Sequence, residues 1–109
     1  MFKALILLKR KPTMSAEDFA NWWLETHAPM ARMLPGLKQA VFNLNRNAEG
    51  DDYDGVSELW FESEADFNAA YASEVGQRVA ADSMANVAKR ERLLVKSHLI
   101  FGDANAVLS

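Results

Sequence analysis

The sequence has no cysteine, which excludes disulfides, thiolate metal ligands and a cysteine nucleophile. It has no apolar run approaching the roughly 20 residues that a membrane-spanning helix needs. It lacks a concentrated field of positive charge, because 12 Lys and Arg are scattered among 15 Asp and Glu for a net charge of −3. A duplex or an anionic bilayer would require such a field, so neither nucleic acid nor membrane is expected as a partner. No His-x-x-x-His pair, Gly-rich phosphate loop or nucleophile elbow occurs, so no metal or other cofactor is expected. The acidic run Glu49, Asp51, Asp52 and Asp54 lacks the alternating spacing and terminal Glu of a calcium loop and reads as a solvated loop.

What is present is the composition of a folded soluble protein: 109 residues, 50% apolar and 25% charged. That length leaves room for one hydrophobic core, so a single domain over residues 1–109 is expected. The apolar start Phe2 to Leu8 contains Lys3 and precedes Lys9-Arg10-Lys11, the reverse of a signal peptide, in which basic residues come first. A cytoplasmic location is expected.

Phe2 to Leu8 reads as a first strand that ends at a charged, Pro-containing turn. Ser15 stands three residues before Asp18, where its hydroxyl can cap a helix and the carboxylate favours the positive end. Phe19, Trp22, Trp23, Met30, Met33 and Leu34 then recur at helical spacing, and Pro29 must kink or split that helix near His27. Leu37 to Asn45 alternates as a second strand, with Ala40, Phe42 and Leu44 on one face. An exposed loop at 46–55 leads to a third strand, Val56 to Phe61. A second helix carries Phe67, Ala70 and Tyr71. A weakly helical region from Val75 to Arg92 is expected to break around Gly76 and Ser83, and Leu93 to Phe101 is expected to be the last strand. The tail from Gly102 to Ser109 has no periodicity and is open to fraying or to reaching a partner subunit.

Ser15-Ala-Glu-Asp-Phe19 and Ser63-Glu-Ala-Asp-Phe67 are near copies, each following a strand and opening an aromatic-bearing helix. Two strand–helix–strand units in one sheet give an α+β fold of ferredoxin-like type: a four-stranded antiparallel sheet with the helices on one face. The first strand is nevertheless apolar on both sides, with Phe2, Ala4, Ile6 and Leu8 opposite Leu5 and Leu7. A sheet covered on one face should alternate with polar residues, so a second copy of the chain is expected to cover the other face, giving a homodimer. A monomer whose C-terminal region wraps the sheet is the alternative.

His27 and His98 are the only imidazoles and the first candidates for proton transfer. A structural role for His27, bonding a carbonyl freed by Pro29, is equally open. By strand alternation Glu58, Trp60, Lys96 and His98 would line one cavity, in which a carboxylate beside an imidazole could form an acid–base pair. Trp23, Trp60, Phe42 and Tyr53 supply aromatic area for a flat or apolar ligand, and Met30 an adaptable wall, although such residues often simply pack the core.

One order of features is specific: Lys11-Pro-x-Met-Ser-x-Glu-Asp-Phe19, Trp23 before His27-Ala-Pro29, Leu34-Pro-Gly-Leu37, and Tyr53-Asp-Gly-Val-x-Glu-Leu-Trp-Phe61. It resembles the EthD family, named for a protein associated with ethyl tert-butyl ether degradation, over nearly the whole chain. The resemblance implies a ferredoxin-like subunit that pairs sheet to sheet in a dimeric α/β barrel, with a pocket between sheet and helices and His27 in that pocket. It implies relatives that rearrange a lactone or tailor polyketides, in degradation or secondary metabolism. Two functions are therefore carried forward. One is a cofactor-independent oxidoreductase or isomerase/cyclase acting on a small apolar or aromatic oxygenated metabolite through His27, with His98 or Glu58. The other is a non-catalytic ligand-binding or accessory dimer of an oxidative degradation pathway.

Overall fold

The structure is a computed structural model that describes residues 1–103. Strand β1 (Phe2–Arg10) leads to α1 (Ala16–Asn21), a π-helical stretch (Trp22–His27) and α2 (Ala28–Ala31). Strands β2 (Gln39–Leu44) and β3 (Gly55–Phe61) follow, then α3 (Glu64–Ala72), α4 (Glu74–Asn86) and β4 (Val87–Val95). The sheet order is β2-β3-β1-β4 with every pairing antiparallel, the ferredoxin-like arrangement expected from the internal repeat.

Both copies of the repeat cap helices. The Ser15 hydroxyl accepts from the Asp18 amide at 3.0 Å, and the Ser63 hydroxyl accepts from the Asp66 amide at 3.1 Å. Each cap places the following aromatic, Phe19 or Phe67, inward, where both are buried. The break expected at Pro29 takes the form of a change in helix type. The Ala28 amide reaches back five residues to the Trp23 carbonyl, and regular α-helical bonding resumes through α2. A π-helical stretch is uncommon and is frequently found at functional sites.

The helices cover one face of the sheet. Ala4, Ile6 and Leu8 of β1 and Leu59 and Phe61 of β3 join Phe19, Trp23, Leu34, Phe67, Ala70 and Val79 in one buried cluster. Each large side chain so buried stabilises the fold by about 1.5–3 kcal/mol. The opposite face presents Leu5 and Leu7 of β1 among Val41, Val56, Leu93 and Val95, none of them fully buried.

Two expectations at the C-terminal end are corrected. The helical region does not break at Gly76 or Ser83: α4 runs without interruption to Asn86, and the break lies at Ser73. Ser73 ends α3 and also caps α4, its hydroxyl accepting from the Gly76 amide at 3.1 Å. Gly76, Val79 and Ser83 are buried on one stripe of α4, so these small residues let the helix lie close rather than interrupt it. The last strand is Val87–Val95, not Leu93 to Phe101. Its Lys89-Arg90-Glu91-Arg92 run masks apolar alternation because β4 is an edge strand, where charge is common. The last six residues of the tail, and with them any reach toward a partner subunit, lie outside the described residues. Among the described residues no helix is long and apolar enough to cross a membrane.

Candidate functional site

His27 ends the π-helical stretch and points inward, 5% exposed. Its Nδ1 lies 2.8 Å from Asp82 Oδ2, on α4. A carboxylate only accepts, so Nδ1 carries the proton and Nε2 carries the lone pair. Asp82 is held in turn by Asn86, whose amide donates to the Asp82 carboxylate at 3.2 Å and to its carbonyl at 2.8 Å. On the other side Nε2 faces the Ser83 hydroxyl across 3.4 Å, long for an O–H···N bond. The Trp22 ring lies 5.1 Å from the imidazole and the Phe42 ring 6.3 Å.

The pKa of His27 is lowered, chiefly because burial disfavours the imidazolium. The hydrogen bond and charge of Asp82 oppose this without overcoming it, and the Arg90 charge adds to the lowering. The result is a neutral imidazole, oriented by a carboxylate, with its basic nitrogen engaged only by a weak contact.

Two clefts are lined in part by the helical segments around His27, and His27 itself lines neither. Phe42 lines one of about 220 Å³ with Leu24, Ala28, Ala31, Arg32 and Ala40. A second, of about 330 Å³, lies between α2 and α4 and is lined by Pro29, Met30, Met33, Val75 and Arg78. Trp23 backs the region, stacked on Phe42 at 4.5 Å and seated over Gly55, where only a hydrogen leaves room for its ring. The indole N–H groups of Trp22 and Trp23 are buried with no partner among the described residues.

The sheet divides the residues singled out in the sequence. His27, Trp23, Phe42 and Met30 lie on the helix side. Glu58 and Trp60 lie on the open face, where Lys3 joins them: its ammonium is 2.6 Å from Glu58 and 4.7 Å from the centre of the Trp60 ring. Asn43 donates to Glu58 at 3.0 Å. Burial alone would raise the Glu58 carboxyl, but the Lys3 and Asn43 hydrogen bonds and the Lys3 charge hold it below its ordinary value. Trp60 is 3% exposed yet stands outside the helix-side core. Tyr53 lies at the β4 edge, 5.4 Å from the Lys89 ammonium.

The shared cavity of Glu58, Trp60, Lys96 and His98 is corrected, because its premise was a strand through residue 98. β4 ends at Val95, and His98 is exposed beyond it. Asp82 and Ser83, which complete the His27 site, went unnoticed in the sequence. The one available signal was two polar residues inside an otherwise amphipathic helix, and nothing local ties them to a histidine 55 and 56 positions earlier. Among the described residues no cluster of His, Asp and Glu could hold a metal ion.

The sequence matches the EthD domain over residues 11–91. A search of curated proteins finds no match. Solved structures share the fold. An ethyl tert-butyl ether degradation (EthD) family protein from Bacillus halodurans superposes with a TM-score of 0.77 at 20% identity, over 90% of this chain and 100% of that one. A dimeric ferredoxin-like protein from Thermobifida fusca gives 0.71 at 16% identity, over 86% and 88%. SnoaB, a cofactor-independent oxygenase from Streptomyces nogalater, gives 0.62 at 18% identity, over 88% and 91%.

Proposed function

As the chain belongs to the EthD family, we propose that it is a homodimeric, cofactor-independent enzyme that moves a proton on a small apolar or aromatic oxygenated metabolite. The two copies pair through their open sheet faces. His27 is the general base, and Asp82 positions it. The observation that carries this reading is the Asp82–His27 contact of 2.8 Å, which fixes the tautomer and leaves Nε2 as the acceptor. General-base catalysis wants a group neutral near pH 7, and the burial of His27 supplies one. The long Ser83 contact is of the kind that gives way when a substrate proton is presented, since catalytic hydrogen bonds are often loose before substrate binds.

Two reaction types fit such a base. Abstraction of the acidic C–H of a phenolic anthrone gives a carbanion that reduces O2 to a hydroperoxide, which loses water to leave a quinone. Abstraction beside a lactone carbonyl, with return of the proton elsewhere, gives an isomer. Glu58 and His98 have no part in this step, because the sheet separates Glu58 from His27 and His98 is exposed beyond β4.

A second reading, the ligand-binding or accessory dimer, is favoured by the engagement of both ring nitrogens of a buried His27. In that reading the imidazole ties the π-helical stretch to α4. The two are separated by offering 1,8-dihydroxyanthrone under air, and a substituted muconolactone, to the wild type and His27→Gln. The enzyme reading expects O2 uptake or isomerisation that falls by about 10²-fold or more in the variant. Equal rates from both proteins, with only stability altered, support the accessory reading instead.

A further inference from the structure

The 330 Å³ cleft between α2 and α4 has a chemical character that narrows the substrate class, on the premise that His27 is the base. Its walls are the apolar Pro29, Met30, Met33 and Val75, and its one charged lining residue is Arg78. Arg78 makes no ion pair, hydrogen bond or ring contact among the described residues. Two other arginines on the helix side have ring partners, Arg90 over Tyr71 and Arg92 over Phe67, whereas the Arg32 side chain, in the neighbouring cleft, is unpaired among the described residues, like that of Arg78.

Spacing on α4 sets the direction. Val75, Arg78 and Asp82 stand at i, i+3 and i+7, on one face, so the guanidinium lies one helical turn from the carboxylate that holds His27. On the facing segment Met30 is three residues past His27, again one turn away. Two walls of the cleft, Met30 and Arg78, therefore each stand one helical turn from the His27–Asp82 pair. A volume of about 330 Å³ is at the lower end of small-molecule pockets, room for one or two fused rings. Methionine walls adapt to flat or irregular ring systems.

We propose that this cleft takes a mono- or bicyclic carboxylate, with Arg78 pairing the carboxylate, Met30, Met33 and Val75 packing on the ring, and the opposite end of the ring system presented to His27. Arg78 is then a specificity residue: its planar fork matches a carboxylate in two parallel hydrogen bonds, which a neutral analogue cannot make.

The test is calorimetric titration of the full chain with 1-naphthoate and with its neutral analogue 1-naphthalenemethanol, using wild type, Arg78→Gln, Arg78→Lys and His27→Gln. Methyl-labelled methionines report where the probe sits. The proposal expects the wild type to bind naphthoate at least tenfold tighter than the alcohol, with shifts at the Met30 and Met33 methyls. Arg78→Gln removes that preference while leaving affinity for the alcohol unchanged. Arg78→Lys restores part of it, and His27→Gln keeps it within twofold. Arg78 is exposed and unpaired, so its variants fold. The proposal is overturned if Arg78→Gln retains the full preference, if neither probe binds at millimolar concentration, or if the shifts fall on other methionines. An intact preference in Arg78→Gln, alongside turnover lost in His27→Gln, removes this inference and leaves the proton-transfer reading standing.

Discussion

His27 Nδ1 and Asp82 Oδ2, 2.8 Å apart, join the end of the π-helical stretch to the middle of α4. The contact spans 55 positions of sequence and ties the first helical segment to α4. Removing the acceptor leaves a buried N–H without a partner. Asp82→Ala is therefore expected to cost about 1–3 kcal/mol, and Asp82→Asn less, since its amide oxygen still accepts. Urea unfolding followed by circular dichroism checks the order wild type, Asn, Ala.

Protonation sets the pH dependence of stability. The folded state disfavours the His27 imidazolium, so its pKa lies below the ordinary value of 6.5 and the unfolded chain binds the proton more readily. Stability from this group is fully present above about pH 6.5 and is lost as pH falls from there toward the folded value. Glu58, also lowered, acts in the same sense but further down, losing its contribution below its ordinary 4.5. Urea midpoints measured from pH 2 to pH 8 should decline on acidification, the part of the decline that begins near pH 6.5 reduced in His27→Gln and the part below pH 4.5 reduced in Glu58→Gln.

The open sheet face yields a separate test. Leu7 lies on that face beside Val56 and Glu91, pointing away from the helix-side core. Leu7→Asp is expected to convert a dimer into a monomer in sedimentation velocity runs while leaving the far-ultraviolet spectrum unchanged. A wild type that sediments as a monomer contradicts the sheet-to-sheet pairing.

Close packing at two glycines separates soft from hard neighbours. A Cβ at Gly55 would come within 2.7 Å of two Trp23 ring carbons, a side chain that can shift. Gly55→Ala should cost about 1–3 kcal/mol and, by moving Trp23, disturb its stack on Phe42. A Cβ at Gly76 would meet the backbone of Ala70 and Tyr71, which cannot shift without unwinding the end of α3. Gly76→Ala should therefore be the more damaging, as thermal unfolding of the two variants would show.

The architecture was legible because it is written locally. The serine caps, the inward aromatic four residues after each cap and the two-sided apolar β1 are all short-range signals, and the repeat of the first two made the topology readable. Beyond Ser73 that clarity fails for physical reasons. Gly76 and Ser83 look like helix breakers until the neighbouring helix and sheet that require small residues are in view. Charges in Lys89 to Arg92 hide a strand because an edge position tolerates them. The site was half legible: His27 stood out as a scarce imidazole before a proline, but Asp82 and Ser83 acquire meaning only when α4 is folded against it. Glu58 and Trp60 do share a face, as alternation indicated, yet it is the face away from His27.

The most direct measurement is the ¹⁵N spectrum of the His27 ring as a function of pH. The structure predicts a neutral ring protonated on Nδ1 and bare on Nε2 at pH 7, with a midpoint below the ordinary 6.5. An Nε2–H tautomer, or an imidazolium at pH 7, would contradict the central claim, because Nε2 would then have no lone pair to accept a substrate proton.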